Sequence, residues 1–403
     1  MNKSSFFTGQ PILTQLFKLI PRHVITRAVK VHSSDNYYKK FDTHHHLVTL
    51  LYAAFQHCTS LREVVSGMSA CEGRLQSLNI RHFPARATFA DANKNRPFQV
   101  FEDIYQSLFR MYYPAFPDSR KEKLPNRLVI IDSTTISLFK QILKSAGNKT
   151  LDGKRKGGIK VHTAVRAADN VPFLIRLTAG AAADAPFMKD LHLPAGSIVV
   201  MDKGYNNYKV LHEWTTKRIN WVTRIKARGV VEVTRQRQLG QKHKEQGILT
   251  DEDVILGYNN KTIQRVKARL VRYYDKEKEK VFEFITNNRK WSPLKVAEIY
   301  KRRWQIELLF KRLKQNLQLQ YFLGDNENAI KIQIYCALIA DMLLQVASRG
   351  LKRRWAFSNL ASIVRMHLMN YTNLRMFLEN PDNCRICNPA PSYDPQLKLS
   401  LSG

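Results

Sequence analysis

Leu128-Val129-Ile130-Ile131-Asp132 and Ile198-Val199-Val200-Met201-Asp202 share one pattern: four apolar residues run straight into a carboxylate. An apolar run without polar alternation is what a strand covered on both faces requires, so both predict central strands of a layered α/β sheet. An acid at the end of such a strand reaches the sheet edge, where ligands approach open α/β domains. One such aspartate is explained as well by a turn or a helix cap. Two together fit chemistry in which carboxylates from separate elements hold divalent cations about 3.5–4 Å apart.

Outward from these runs, further strand signals cover 159–168, 172–178 and 219–225, with the first two runs read as strands over 128–138 and 197–201 and helical patterns around 185–191 and 208–216. This is an α/β domain. Beyond it the chain changes to short alternating basic runs, VVEVTRQRQ, RVKARLVRYY and KVFEFIT, which predict a β-rich insertion over 227–288. Helical periodicity resumes over 293–320, 326–348 and 358–370. On the N-terminal side PILTQLFKLI, THHHLVTLLYAAF and PFQVFEDIYQSLFRMYY are helical, and the charged linker Pro117–Pro125 ends them. The organisation expected is a helical domain at 1–120, an α/β core begun at 125–226, interrupted at 227–288 and completed at 289–350, then a helical segment and tail at 351–403. Short helices joined by turns suit a DNA-reading module, although a packing or dimerisation domain has the same pattern.

A third acid for the pair Asp132 and Asp202 is offered by the segment Tyr300–Lys314. At about 100° per residue, Tyr300, Arg303, Glu307 and Lys314 fall within roughly 60° of one another on a continuous helix. Ile299, Ile306, Phe310, Leu313 and Leu317 lie on one flank of that stripe and Trp304 and Leu308 on the other, which predicts a helix embedded in the protein. A carboxylate so placed is costly unless it is paired or metal-bound. A salt-bridged amphipathic helix would satisfy Glu307 alone, but it leaves Asp132 and Asp202 unexplained.

The chain of 403 residues carries 65 Lys and Arg against 33 Asp and Glu, a formal charge of +32, far beyond what solubility asks. Basic residues spread through folded-looking segments point to a polyanionic partner such as nucleic acid. In Lys154-Arg155-Lys156-Gly157-Gly158-Ile159-Lys160-Val161-His162 the lysines 154, 156 and 160 can neutralise phosphates while the glycines let backbone approach, and a plain turn entering a strand explains the glycines equally. The most apolar stretch, Tyr335–Leu344, is about half the length that spans a bilayer, and the first residues have no signal-peptide pattern, so a membrane role is not expected. Five cysteines, at 58, 71, 336, 384 and 387, have no framework spacing and fit a reducing cytoplasm; Cys384 and Cys387 are half of a zinc site. His44, His45 and His46 occupy successive helix faces and are read as ordinary helix positions.

Together with the two aspartates, the spacing Tyr300-x2-Arg303-x3-Glu307-x6-Lys314 resembles the signature helix of a large group of bacterial insertion-sequence transposases, in which the glutamate completes an Asp-Asp-Glu triad. Asp202-Lys203-Gly204-Tyr205 is similar to that family's second-aspartate segment, and the 154–162 run resembles the basic stretch before its second strand. The resemblance covers about residues 125–350 and implies an α/β RNase-H-like catalytic core interrupted by a β-rich insertion and preceded by an all-helical N-terminal domain. It implies metal-dependent DNA cleavage and strand transfer with Asp132, Asp202 and Glu307 holding two Mg2+ ions, for which Mn2+ can substitute. It implies DNA contacts from Tyr300, Arg303 and Lys314. The partners implied are double-stranded DNA, both element ends with their inverted repeats and target, and a second copy of the chain in the DNA complex, in a bacterial cytoplasm at the nucleoid. Some members pass through a hairpin with the help of a base-trapping tryptophan, for which Trp221 is the nearest counterpart here, a core tryptophan being the simpler reading. An RNase-H-like nuclease that does not join strands, and a non-catalytic DNA binder from a decayed element, remain alternatives.

Overall fold

The structure is a computed structural model that describes residues 9–112, 127–137, 158–167, 171–226, 231–257, 264–317, 319 and 321–381. Its strands are β1 (Leu128–Ser137), β2 (Gly158–Arg166), β3 (Pro172–Ala179), β4 (Ile198–Met201), β5 (Asn220–Arg224), β6 (Val231–Gln236), β7 (Ile248–Leu256), β8 (Val266–Asp275) and β9 (Lys280–Thr286). They form one sheet in the order β3-β2-β1-β4-β5-β9-β8-β7-β6. β1, β2 and β3 are antiparallel neighbours, whereas β4 pairs with β1 and β5 with β4 in parallel. The two apolar runs are therefore central, and their residues alternate between two cores: Leu128, Ile130, Ile198 and Val200 on one face, Val129, Ile131, Val199 and Met201 on the other. That division is the physical reason both runs lack polar alternation.

The basic segment after β5 does not fold away as a separate unit. β9 pairs antiparallel with β5, and β8, β7 and β6 follow in turn, so the insertion lengthens the same sheet. Much of its positive charge is used internally. Arg269, buried on β8, sends Nε and Nη2 to the two Asp251 oxygens at 2.7 and 2.6 Å and Nη1 to the Trp291 carbonyl at 2.6 Å. Arg237 holds Asp253, and Arg272 holds Glu252 and Glu283.

The helices are α1 (Ile12–Phe17), α2 (Arg22–His32), α3 (Thr43–Gln56), α4 (Leu61–Ser69), α5 (Arg86–Asn95), α6 (Gln99–Tyr112), α7 (Tyr208–Thr216), α8 (Gln241–Glu245), α9 (Pro293–Lys301), α10 (Trp304–Asn316), α11 (Glu327–Ala347), α12 (Phe357–Met366) and α13 (Leu374–Glu379). The helical pattern at 185–191 is a short 3₁₀ segment, Ala185–Asp190. Packing does not follow chain order. α11, expected to complete the sheet domain, is buried against α1, α3, α5 and α6, and Asn328 caps the end of α5 by donating to the carbonyls of Asn93, Lys94 and Arg96. The C-terminal segment returns to the start, where the Ile12 and Leu13 amides donate to the Asn370 and Leu368 carbonyls. α10, anchored to buried Asp341 of α11 through Arg312 at 2.9 Å, bridges these helices to β1, and Tyr105 of α6 reaches β3 by donating to the Pro172 carbonyl at 2.6 Å. By length and composition α11 could cross a membrane, but 83% of its most apolar window is buried inside the fold, as in a core helix.

Asp251→Ala should cost about 3–5 kcal/mol, because it strands the Arg269 charge in the interior. Urea unfolding measures this, and Asp251→Asn should recover only part of the loss, since one neutral amide oxygen replaces a two-oxygen anion.

Candidate active site

β1 does not stop at its carboxylate. It runs through Asp132 to Ser137, still paired with β2, while its parallel neighbour β4 ends at Met201. The register Ile131↔Met201 then brings Asp132 and Asp202 out side by side where β4 gives way to a turn. Parallel strands lie about 4.8 Å apart, so the two carboxylates share one site because of the register alone. On the next strand, Arg224 ends β5; the register Val200↔Val222 sets it beside Asp202, and its Nη2 donates to Asp202 Oδ1 at 2.8 Å.

The third carboxylate arrives by a route that a continuous helix does not describe. Between α9 and α10 the backbone tightens, with Arg302, Arg303, Gln305 and Ile306 amides each donating three residues back. A 3₁₀ turn advances about 120° per residue instead of about 100°, so the helix is broken in register at Arg302 and Arg303. The stripe survives the break: Tyr300 OH donates to Asp202 Oδ1 at 3.3 Å, Arg303 Nη1 donates to Asp132 Oδ2, and Arg303 Nη2 donates to Glu307 Oε1 at 2.5 Å. The expected apolar flank, Ile306, Phe310, Leu313 and Leu317, is buried. The opposite flank is not, since Trp304 and Leu308 are 56% and 51% exposed. α10 is thus embedded on one side only, its second apolar flank left uncovered by the fold. Glu307 lies in the first turn of α10, where the helix dipole favours an acid.

Electrostatics separate the two aspartates. Burial pushes the Asp132 carboxyl up to about 6, against the pull of Arg303 and the Ser133 amide, and the negative charges of Asp202 and Glu307 push the same way. Burial opposes ionisation of Asp202 too, but the hydrogen bond and charge of Arg224, with Arg303 and the Lys203 amide, hold it below the usual carboxylate range. Burial lifts the Tyr300 hydroxyl to about 12, so it is a donor and not an anion. Burial alone would weaken the Arg303 cation, but Asp132, Tyr300 and Glu307 keep it firmly protonated.

The remaining candidates divide. Lys314 reaches β1, donating to Thr134 Oγ1 at 2.7 Å and to the Thr135 carbonyl at 3.3 Å, and burial lowers its pKa. Lys160 points inward, to the Ala182 carbonyl at 2.7 Å and to Asp184 at 3.2 Å. Lys154 and Lys156, like Cys384 and Cys387, lie outside the described residues. Trp221 is fully buried on β5, with its Nε1 donating to Thr215 Oγ1 at 3.0 Å, so the core reading holds. His46 is buried against Asn93, whereas ligand atoms of Asp42, His44 and His45 do approach within 4.8 Å of one another. That approach is explained by the α3 cap, in which Asp42 Oδ1 accepts from the His45 amide at 2.8 Å and lies 2.6 Å from its Nδ1. Sequence reading missed Arg224 and Asp184; a basic residue closing the strand after β4 was the available signal for the first.

Comparison with known proteins gives this geometry a family. Residues 123–343 match the family described as Transposase DDE domain. The chain is 30% identical over 313 residues to a protein of Sinorhizobium fredii named as a transposase, covering 76% of this chain and 82% of that one. It is 28% identical to a Synechocystis protein named as the transposase for insertion sequence element IS4SA, over 64% and 71% of the two chains. The chain belongs to the DDE transposase family. This transposase is accordingly a DNA-cleaving and strand-transferring enzyme of the insertion-sequence type, dependent on divalent metal. Residues 8–81 match a separate domain family of unknown function, and the piggyBac transposase synaptic complex with hairpin DNA aligns with 93% of this chain and 83% of its own at 11% identity, with a TM-score of 0.44 that carries no argument.

The raised pKa of Asp132 makes the transposase's stability depend on pH. The folded value, about 6, lies above the ordinary aspartate value of 3.8, so ionisation is disfavoured in the folded state and stability is lost as pH rises between those values. Asp132→Asn removes the titration. Its melting temperature relative to the parent, measured with chelator present, should rise from pH 4 to pH 6 and level off above; a difference that stays constant with pH would show that Asp132 is not held neutral by burial.

Proposed function

We propose that Asp132, Asp202 and Glu307 are the metal-binding triad of this transposase, that they hold two Mg2+ ions, and that Mn2+ can replace them. The observation that carries this reading is that one guanidinium, Arg303, bonds both Asp132 and Glu307 while Arg224 and Tyr300 bond Asp202. The donor set is all oxygen, which suits hard divalent cations. It is also a concentration of negative charge that the chain balances with two half-buried arginines, Arg303 and Arg224, the charge that cations would replace. An RNase-H-like core is supported by the order β3-β2-β1-β4-β5, three antiparallel strands followed by two parallel ones.

When bound, the divalent ions activate the attacking oxygen and stabilise the leaving oxygen of an in-line displacement. The residues of the chain do the rest. Asp132 and Glu307 would hold the ions through carboxylates that Arg303 bonds, so Arg303 would have to release them. Its Nε, like that of Arg224, is buried with no hydrogen-bond partner among the described residues, a donor that a shift of the side chain would offer to a DNA phosphate. Tyr300 keeps Asp202 oriented, and Lys314, two turns beyond Glu307, meets DNA further from the reacting bond. The helices of residues 1–120 read the terminal inverted repeats, the exposed lysines of the insertion hold flanking phosphates, and two copies of the chain pair the element ends at the bacterial nucleoid. In this reading Lys154, Lys156 and Lys160 also meet phosphates, with Lys160 requiring release from Asp184.

On a pre-bound element end, Asp132→Asn, Asp202→Asn and Glu307→Gln should each abolish Mg2+-dependent cleavage while end binding stays within about twofold, because phosphate contacts remain. Any one of them cleaving near the parent rate would sink the triad. Arg303→Ala should slow single-turnover cleavage on the order of a hundredfold with little loss of binding, and Arg303→Lys should rescue poorly because a point charge replaces a planar fork. Equal, small losses in rate and binding would reduce Arg303 to a solvated salt bridge.

A further inference from the structure

A further carboxylate, Asp184, stands beside the site as the partner of Lys160. Asp184 stands in the connection between β3 and β4, immediately before the 3₁₀ segment, yet its side chain makes no capping bond there. It turns to the sheet instead. Its Oδ1 accepts from Ser133 Oγ at 3.0 Å, pairs with Lys160 Nζ at 3.2 Å and lies 3.6 Å from His162 Nδ1. Ser133 is the chain neighbour of Asp132, and its amide donates to Asp132 Oδ1 at 2.8 Å. One end of Asp184 therefore holds the residue that holds Asp132.

The other end meets the second aspartate's turn. A Cβ built on Gly204 would lie 2.8 Å from Asp184 Oδ2, closer than any side chain is tolerated, so Gly204 lets this turn close onto the carboxylate. The next residue, Tyr205, is buried with its hydroxyl 3.1 Å from His162 Nδ1, and His162 Nε2 lies 2.9 Å from Thr178 Oγ1 on β3. Asp184 is thus wedged between Ser133 of β1, Lys160 of β2 and the turn Lys203–Tyr205 that follows Asp202. A turn residue without this purpose would cap its own segment or face water.

We infer that Asp184 is a positioning residue that sets the spacing of Asp132 and Asp202 for metal; the inference rests on those two being metal ligands. Partners that orient ligating carboxylates typically change metal affinity by roughly 10- to 100-fold when removed. Two substitutions separate geometry from charge. Asp184→Asn removes a charge near the site, while Gly204→Ala removes none and only displaces the Asp184 carboxylate.

The experiment is Mn2+ titration of the full chain, followed by the paramagnetic resonance signal of the free ion, alongside thermal unfolding. Asp184→Asn and Gly204→Ala should each weaken binding by about tenfold or more. Adding Gly204→Ala to Asp184→Ala should cause no further loss, because the oxygen it would strike is gone. The inference falls if Gly204→Ala folds and binds Mn2+ like the parent, or if the two losses add. If Asp184→Asn does not unfold cooperatively, Gly204→Ala alone decides. Asp132→Asn is the control: parent-like Mn2+ binding by that variant overturns the triad itself, whereas loss there beside parent-like Gly204→Ala overturns only the role of Asp184.

Discussion

The site exists because three carboxylates are brought together out of bulk water, and like charges at such range repel strongly in a medium of low dielectric. Arg303 is the answer the chain provides. It bonds Asp132 and Glu307 at once, joining a strand in the middle of the sheet to the first turn of α10. Arg224 does the same service for Asp202 from the adjoining strand. Without these cations the register that aligns β1 with β4 would be a liability, since it forces two aspartates into one place.

That constraint shapes the elements around it. β1 has to outrun β4 so that Asp132 is uncovered, and it does so only because β2 keeps pairing with it as far as Ser137. α10 has to lie against β1 with its acid turned in, and the buried row Ile306, Leu309, Phe310 and Leu313 fixes that rotation. The tight turn before it lets Arg303 and Tyr300 face the same two aspartates although the chain changes helix between them and Glu307. The far end of α10 is pinned by Arg312 to Asp341, deep among the N-terminal helices. Those helices and the sheet are thereby joined through the element that carries Glu307.

Much of this was legible in the sequence, and the remainder was hidden for physical reasons. Apolar runs such as Ile198–Met201, short and rich in β-branched residues, announce a strand buried on both faces, and Asp202 follows where the strand ends. A local spacing such as Arg303 to Glu307 is readable because i,i+4 neighbours meet on any helix. The break at Arg302 was not readable, since a few amides bonding three residues back leave no mark in composition. Nor was the exposure of Trp304 and Leu308, which depends on which flank the tertiary fold chooses to cover. The partnership of Asp202 with Arg224 is a cross-strand register, visible only after β4 and β5 are aligned. Lys160 shows the same limit: a basic residue beside glycines suggests phosphate, and its pairing with Asp184, beyond β3 in the chain, is visible only in the fold.

Arg303 has two duties in the proposed function, and they pull against each other. To hold the carboxylates together it has to bind them tightly; to serve a phosphate it has to release them. A guanidinium resolves the conflict better than an ammonium, because its five donors are arranged as a fork that carboxylate and phosphate match equally well. Exchange of one anion for another then costs little geometry, and the cation stays within the site throughout. A lysine would trade one point contact for another and would lose the bridge between Asp132 and Glu307 the moment it moved. The choice of arginine at the turn between α9 and α10 follows from needing a cation that can be displaced from the carboxylates without leaving the place where negative charge collects.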